Sequence, residues 1–308
     1  MNDVISKSLK IKAISPSESM QEAHLFNSFE FLSNKDFNVK GWQLIKKRPV
    51  AQIFFYIKDK VAISGYQSTF GSFDVLDHVS VDDLKWFINS LINELKLLEV
   101  GKIKIKHYPS YFSNSNLVER ALLDLDFENT LTETNQHVMV ANPLFEDVAD
   151  RSEVIRSNKC MKLGYKFKIA SLKELPQIYA LIKNTLERNG NMPSMTYENL
   201  KSTIEACPSN FILFTLWDNE TLIAATVSVK INQSILYNFY HADHLGYRNV
   251  SAMTFLLKNI YLYCFSHNYK SLDLGISTVN GILNEGLFNF KKARGAVSSS
   301  KKYFNLSL

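Results

Sequence analysis

No stretch of this 308-residue chain approaches the roughly 18 consecutive apolar residues that a membrane-spanning helix needs. The opening MNDVISKSLK lacks the apolar core of a secretory leader. A cytoplasmic protein that does not insert into a membrane is therefore expected. Cysteine is scarce as well. Cys160, Cys207 and Cys264 lie far apart, with no CxxC and no neighbouring histidine spacing, which argues against a disulfide framework and against a zinc site. All three are expected to be reduced and packed. There is no G-x-S-x-G nucleophile turn, and the histidines are scattered singles, so hydrolase triads have no anchor here and no metal is expected. Low-complexity linkers are missing too.

What is present fits a folded, soluble chain. A content of 46% hydrophobic and 21% charged residues rules out disorder, and the length suffices for two domains. The net charge of +5 conceals an asymmetry. Residues 1–150 carry 16 Lys and Arg against 20 Asp and Glu, and residues 151–308 carry 19 against 10, so the halves stand at −4 and +9. A basic second half points to a partner with anionic groups, such as a phosphorylated cofactor, a nucleotide sugar or RNA, although a well-solvated surface gives the same count.

Hydrophobic periodicity and caps reveal a duplicated order of elements. In the second half, GYKFKIA (164–170) reads as a strand, and Ser171 with Glu174 forms a capping box before a helix whose Leu175, Ile178, Ile182 and Leu186 share one face. A helix over 196–206 follows, then a hairpin over Asp218-Asn219-Glu220 and a third strand, QSILYNFYH. An apolar helix (about 249–266), a strand (271–275), a helix (about 281–292) and a last strand, KKYFNLSL, complete it. The first half repeats the plan. LKIKAI is a strand, Ser15-Pro16-Ser17-Glu18 a capping box, and three strands form a meander with a tight turn at Lys58-Asp59-Lys60. A helix capped by Ser80, the strand KIKIKHY, a helix in NLVERALLDL and two short strands between Phe127 and Val140 follow.

The pattern predicts an α/β fold of mixed sheets with packed helices, built twice, with domains at 1–145 and 146–308. Pro143 and a short acidic run in ANPLFEDVADRSEV mark the join.

Several motifs then carry a resemblance. RSEVIRSNKCMKLGYKFKI (151–169) brings Arg156, Lys159, Lys162 and Gly164; NTLERNG brings Arg188; and YKSLDLGIS followed by EGLFNFKKARGA joins an Asp-x-Gly strand to a Gly-Leu-Phe helix start and a Phe-Lys pair. Together with the element order, these make the chain resemble the Fem group of peptidoglycan-bridge aminoacyltransferases, a tandem of two GNAT (acyl-CoA N-acyltransferase) folds. STFGSFDV (68–75) resembles a glycine loop of the first domain. The long antiparallel helical arm of some Fem enzymes has no counterpart. The glycine loop on which GNAT enzymes hold a pyrophosphate is replaced by Arg248-Asn249-Val250-Ser251-Ala252-Met253.

The resemblance implies an acyltransferase that moves an acyl or aminoacyl group onto an amine of a cell-envelope or sugar-linked acceptor, in peptidoglycan or polysaccharide synthesis. The donor would be acetyl-CoA, another acyl-CoA or aminoacyl-tRNA. Two alternatives stay open: a CoA-dependent N-acetyltransferase, and a non-catalytic binder of a nucleotide sugar or lipid-linked precursor. The first domain would be degenerate, supporting or acceptor-binding.

Direct attack by an amine requires a proton acceptor, donors for the developing oxyanion and protonation of the leaving group. Lys291, matching the family's lysine, is the candidate for the oxyanion, with Asp273 orienting the amine or pairing with Lys291. Tyr240 is a proton-relay candidate. Phe290, Lys292, Arg294, Arg156, Arg188, Tyr237 and His241 are candidate substrate contacts, and Arg248, Asn249 and Ser251 candidate cofactor contacts. A helix dipole answered by cations, a core tyrosine and solvated arginines account for the same residues without function.

Overall fold

The computed structural model describes residues 9–34 and 38–308. Residues 1–8, part of the segment read above as lacking an apolar leader, and residues 35–37 lie outside the described residues. The chain forms two compact units: Met1–Thr134 with Thr278–Ile282 and Ser299–Leu308, and Asn135–Ser277 with Leu283–Ser298.

The first unit holds β1 (Lys10–Ile14), α1 (Phe29–Ser33), β2 (Val39–Ile45), β3 (Pro49–Lys58), β4 (Val61–Ile63), β5 (Asp74–Val75), α2 (Val81–Leu97), β6 (Lys102–Pro109), α3 (Ser115–Leu123) and the start of β7 (Glu128–Met139). β2 to β4 form the expected antiparallel meander, turning at Asp59 and Lys60, both at positive φ, and β1 pairs antiparallel with β2. α2 starts at a Ser80–Asp83 capping box and buries Leu84, Phe87, Ile88, Leu91 and Leu95, the stripe that a 3.6-residue period puts on one face. The Ser15–Glu18 capping box also forms, but over one 3₁₀ turn.

β4 runs parallel to β6 for three residues only. Beyond it the chain's own loop lies along β6, with Ser64 and Gly71 donating to the carbonyls of Lys104 and Lys106. That loop's Phe70 is buried against Tyr108 and Phe112.

Two strand expectations change. Residues 128–139 form one strand of twelve residues, not two short ones. Nothing in ENTLTETNQHVM supplies a turn, and its inward polar groups find partners: Asn135, Gln136 and Glu133 are all bonded. The last strand is longer than KKYFNLSL and lies with the first unit from Ser299 onward, antiparallel to β6, with Phe304 fully buried in that core.

The second unit continues with α4 (Arg151–Lys162), β8 (Lys166–Ala170), α5 (Leu175–Arg188), α6 (Tyr197–Ala206), β9 (Phe211–Asp218), β10 (Thr221–Lys230), β11 (Ile235–Asp243), α7 (Ala252–Ser266) and β12 (Ser271–Ile276). The hairpin β13 (Thr278–Val279) and β14 (Ile282–Leu283) precedes α8 (Glu285–Lys292), and β15 (Val297–Ser307) ends the chain. The unit's sheet runs β8-β9-β10-β11-β12-β7, antiparallel except for β11 and β12. Helix α7 begins three residues later than expected, because Leu245–Val250 form a 3₁₀ turn and Ser251 is left-handed. Helix α8 likewise begins at Glu285: Asn280 and Gly281, both at positive φ, turn the β13–β14 hairpin, and Asn284 caps the helix. All three cysteines are free and buried, as their scarcity implied.

Candidate active site

The site grows from a local irregularity in β11. Val227 of β10 faces Tyr240 and Ser228 faces Asn238, so Phe239 is an extra residue, and the strand bends at this bulge. Its parallel pairing with β12 is confined to Ile235–Tyr237 against Ser271–Asp273. Past Tyr237 and Asp273 the two strands part, leaving the carbonyls of Gly275 and Ile276 without a β11 partner.

Lys291, from the last turn of α8, enters this fork. Its Nζ donates to the carbonyls of Gly275 (2.9 Å) and Ile276 (2.7 Å). The residue is 2% exposed, and burial lowers its pKa to about 7 despite the pull of Asp273 in the other direction. Asp273, fully buried, accepts from the Gly275 amide (2.7 Å) and from Asn135 Nδ2 at both oxygens. Gly275 has φ +75°, and a Cβ there would stand 3.4 Å from the ring of Tyr237. The left-handed turn, which favours glycine, is what aims both carbonyls at Lys291. Gln136 ties the fork to α8: its Oε1 accepts from Ser277 Oγ (2.6 Å), and its Nε2 donates to the Phe288 carbonyl (3.2 Å).

Beside the fork lies a cleft of about 360 Å³ whose wall includes His241, Asp243, Arg248, Ser251, Phe290 and Arg294. His241 is held neutral, its pKa lowered to about 4 by burial and then by the charge of Lys291. Arg294 is 6% exposed. Its guanidinium stacks 3.6 Å from the Phe290 ring centroid, donates back to the Phe290 carbonyl, and meets Thr254 Oγ1 (2.6 Å) and Glu153 Oε2 (2.7 Å). Burial lowers its pKa to about 10, with Glu153 opposing the shift. Nε of Arg294 is buried with no hydrogen-bond partner.

The sequence candidates thus fall into three groups. Tyr237, Asp273 and Lys291 meet at the fork. His241, Arg248, Ser251, Phe290 and Arg294 line the cleft, and Arg188 reaches its rim by pairing with Asp243 (2.6 Å), which also holds Arg248 (2.9 Å). Four candidates stand elsewhere. Tyr240 accepts from the Met195 amide (3.0 Å) and bonds Ser194 (2.6 Å), packed among α5 and α6 side chains. Arg156 is on the outer side of α4, paired with Glu153. Asn249 and Lys292 are exposed.

Sequence reasoning missed Asn135 and Gln136, which brace the fork, and Glu153 and Asp243, which hold the cleft's cations. The signal was available for the first two: an Asn-Gln pair inside a strand pattern announces a buried polar network. It also missed such a network in the first unit. There Asp74, 2% exposed, receives hydrogen bonds from Tyr108 (2.7 Å), Asn27 (3.1 Å) and Gln52 (3.2 Å) and lies 2.6 Å from His24 Nδ1.

No protein-family model and no curated protein matches the chain in sequence. Solved structures do match in shape. FemX aligns over 97% of both chains at a TM-score of 0.76 and 14% identity. The chain has the Fem-type tandem GNAT fold. L-PGS from Bacillus licheniformis aligns over 83% of this chain and 81% of its own (TM-score 0.58, 10% identity). A tandem GNAT protein from the clavulanic acid biosynthesis pathway aligns over 97% and 98% (0.53, 10%).

Within this fold the start of α7 does not suit a CoA pyrophosphate held on a glycine loop. Ser251 and Met253 stand where such a loop carries glycine, and Glu153, a buried carboxylate bonded to Thr254 (2.7 Å), already answers the helix's positive end. Among the described residues no cluster of His, Cys, Asp and Glu could hold a metal.

Proposed function

We propose that the chain is an acyltransferase whose second unit moves an activated acyl or aminoacyl group onto an amine. The observation that carries this reading is the fork itself: a bulged strand leaves its parallel neighbour, and a buried lysine from the following helix stands where they separate. Two of the Lys291 hydrogens are bound to carbonyls of β12. When protonated it keeps a third, available to an acyl oxygen as negative charge develops. Asp273 and Asn135 fix the strand end that aims it. Arg294 and Arg248 give the cleft its attraction for an anionic part of donor or acceptor, the partner implied by the +9 second half.

Tyr240 has no part in this mechanism, because its hydroxyl is engaged with the Ser194 hydroxyl and the Met195 amide. In the first unit, the loop carrying Phe70 takes the place where β4 and β6 would part, which supports a supporting or acceptor-binding role rather than a second transfer site. A cytoplasmic setting and a cell-envelope or sugar-linked amine acceptor complete the proposal.

The test is a donor panel. Acetyl-CoA, longer acyl-CoA thioesters and bulk aminoacyl-tRNA are each incubated with the protein and an amine mixture, and free thiol or deacylated tRNA is measured. One donor class should be consumed in an amine-dependent way. Consumption of none, with no donor raising the melting temperature, leaves the binding-only alternative in its place.

A further inference from the structure

The outer side of α4 is used by nothing described so far. Arg151, Lys159 and Lys162 are exposed along it, and Arg156 at its edge pairs with Glu153. The only acid between residues 151 and 170 is Glu153, which is buried on the opposite side of α4 beside Arg294 and Thr254. Spacing explains the division. Glu153, Ser157 and Cys160 recur at i, i+4 and i+7 and face inward, with Cys160 Sγ donating to the Val250 carbonyl. Arg151, Ile155, Lys159 and Lys162 follow the same period on the outside.

This face is not merely basic. Ile155 is 60% exposed and Leu163 48%, two large apolar side chains on the same side of the helix as Lys159 and Lys162. Single apolar residues on a surface need no explanation, but a pair flanking lysines on one helix face is what an interfacial helix presents. Phosphate-backbone recognition would use the cations and leave these side chains in water. An anionic lipid surface uses both: headgroups meet the lysines, and the interfacial region receives the apolar groups. The turn that follows α4 adjoins the cleft, since the ring of Tyr165, between α4 and β8, lies 6.1 Å from that of Tyr247, which lines it.

We propose that the outer face of α4 docks the protein on anionic phospholipid, lying on the surface without crossing it. Among the described residues no helix is long and apolar enough to cross a membrane, so attachment is reversible and charge-dependent. The proposal does not depend on the acyl-transfer reading, although such docking would hold the cleft rim near an acceptor carried by lipid.

The experiment is co-sedimentation of the full chain with vesicles of phosphatidylcholine alone and of phosphatidylcholine mixed with phosphatidylglycerol. Binding is expected only to the mixed vesicles and should weaken as salt rises. Lys159→Glu with Lys162→Glu should reduce it by about tenfold or more, and Ile155→Ser with Leu163→Ser several-fold without removing the salt dependence. All four positions are exposed, and circular dichroism melting checks that each variant folds. Failure to bind the mixed vesicles, or binding that both pairs of substitutions leave intact, overturns the proposal. So does retention of bulk tRNA instead, lost with the lysine pair and indifferent to the serine pair, which would make the face an RNA surface.

Discussion

Lys291 Nζ lies 2.7 Å from the carbonyl oxygen of Ile276, on a strand whose parallel partner has already turned away. An ammonium thus replaces the missing ladder hydrogen bonds at the one place in the second unit's sheet where two parallel neighbours separate. It is a costly way to satisfy two carbonyls, because the charge is almost completely buried. That cost is visible in the ionisation of Lys291, lowered from 10.5 to about 7 by burial.

The shift has a thermodynamic consequence. Between about pH 7 and 10.5 the unfolded chain binds more protons at this position than the folded one, so the contribution of Lys291 to stability rises with pH across that window and is at its least favourable below pH 7. Denaturant unfolding measured at pH 6 to 10 should therefore show wild type gaining stability relative to Lys291→Met as pH increases. A difference that is flat with pH would mean that the lysine is not buried as described.

Breaking the pair beneath the cleft should be more damaging than removing it. Glu153→Gln leaves the Arg294 charge at 6% exposure without its carboxylate, an expected loss of about 3–5 kcal/mol. The double variant Glu153→Met with Arg294→Met should lose less stability than the single one, and chemical denaturation of the three proteins reads both effects.

Tyr240→Phe separates a structural tyrosine from a catalytic one. Losing the hydroxyl that meets Ser194 and the Met195 amide should cost roughly 1–3 kcal/mol of stability. Turnover per folded molecule should be unchanged. A hundredfold fall in turnover would return Tyr240 to the proton-relay role that its strand position suggested.

Most of the fold was legible because it is written in local signals. The Ser80 and Ser171 caps, the stripe of α2, the Lys58–Lys60 turn and the β9–β10 hairpin all formed where periodicity and turn chemistry put them. What escaped was set by long-range pairing. Residues 128–139 read as two strands because their polar run resembles a break, but its polar side chains are satisfied by residues more than 130 positions away. The last strand belongs with the first unit through its register with β6, which no local pattern carries.

The site divided along the same line. The family resemblance and strand position pointed to Lys291, Asp273, Arg294 and His241, and the structure places these at the fork and the cleft. The partners Asn135, Gln136 and Glu153 come from distant segments: the Asn-Gln pair signals a buried polar network but not what it braces, and Glu153 carries no local signal. The basic end of EGLFNFKKARGA also resolved into three fates. Lys291 is buried in the fork, Lys292 is exposed at the helix end, and Arg294 turns back to cap the Phe290 carbonyl while lining the cleft.

The most direct test of the account is amine-dependent release of free thiol or deacylated tRNA by the purified chain, compared between wild type and Lys291→Ala at matched folded fraction. Loss of one oxyanion donor should lower the transfer rate by about 100- to 1,000-fold while donor binding, followed by thermal shift, persists. Transfer that continues undiminished in Lys291→Ala would contradict the assignment of the fork as the reaction centre.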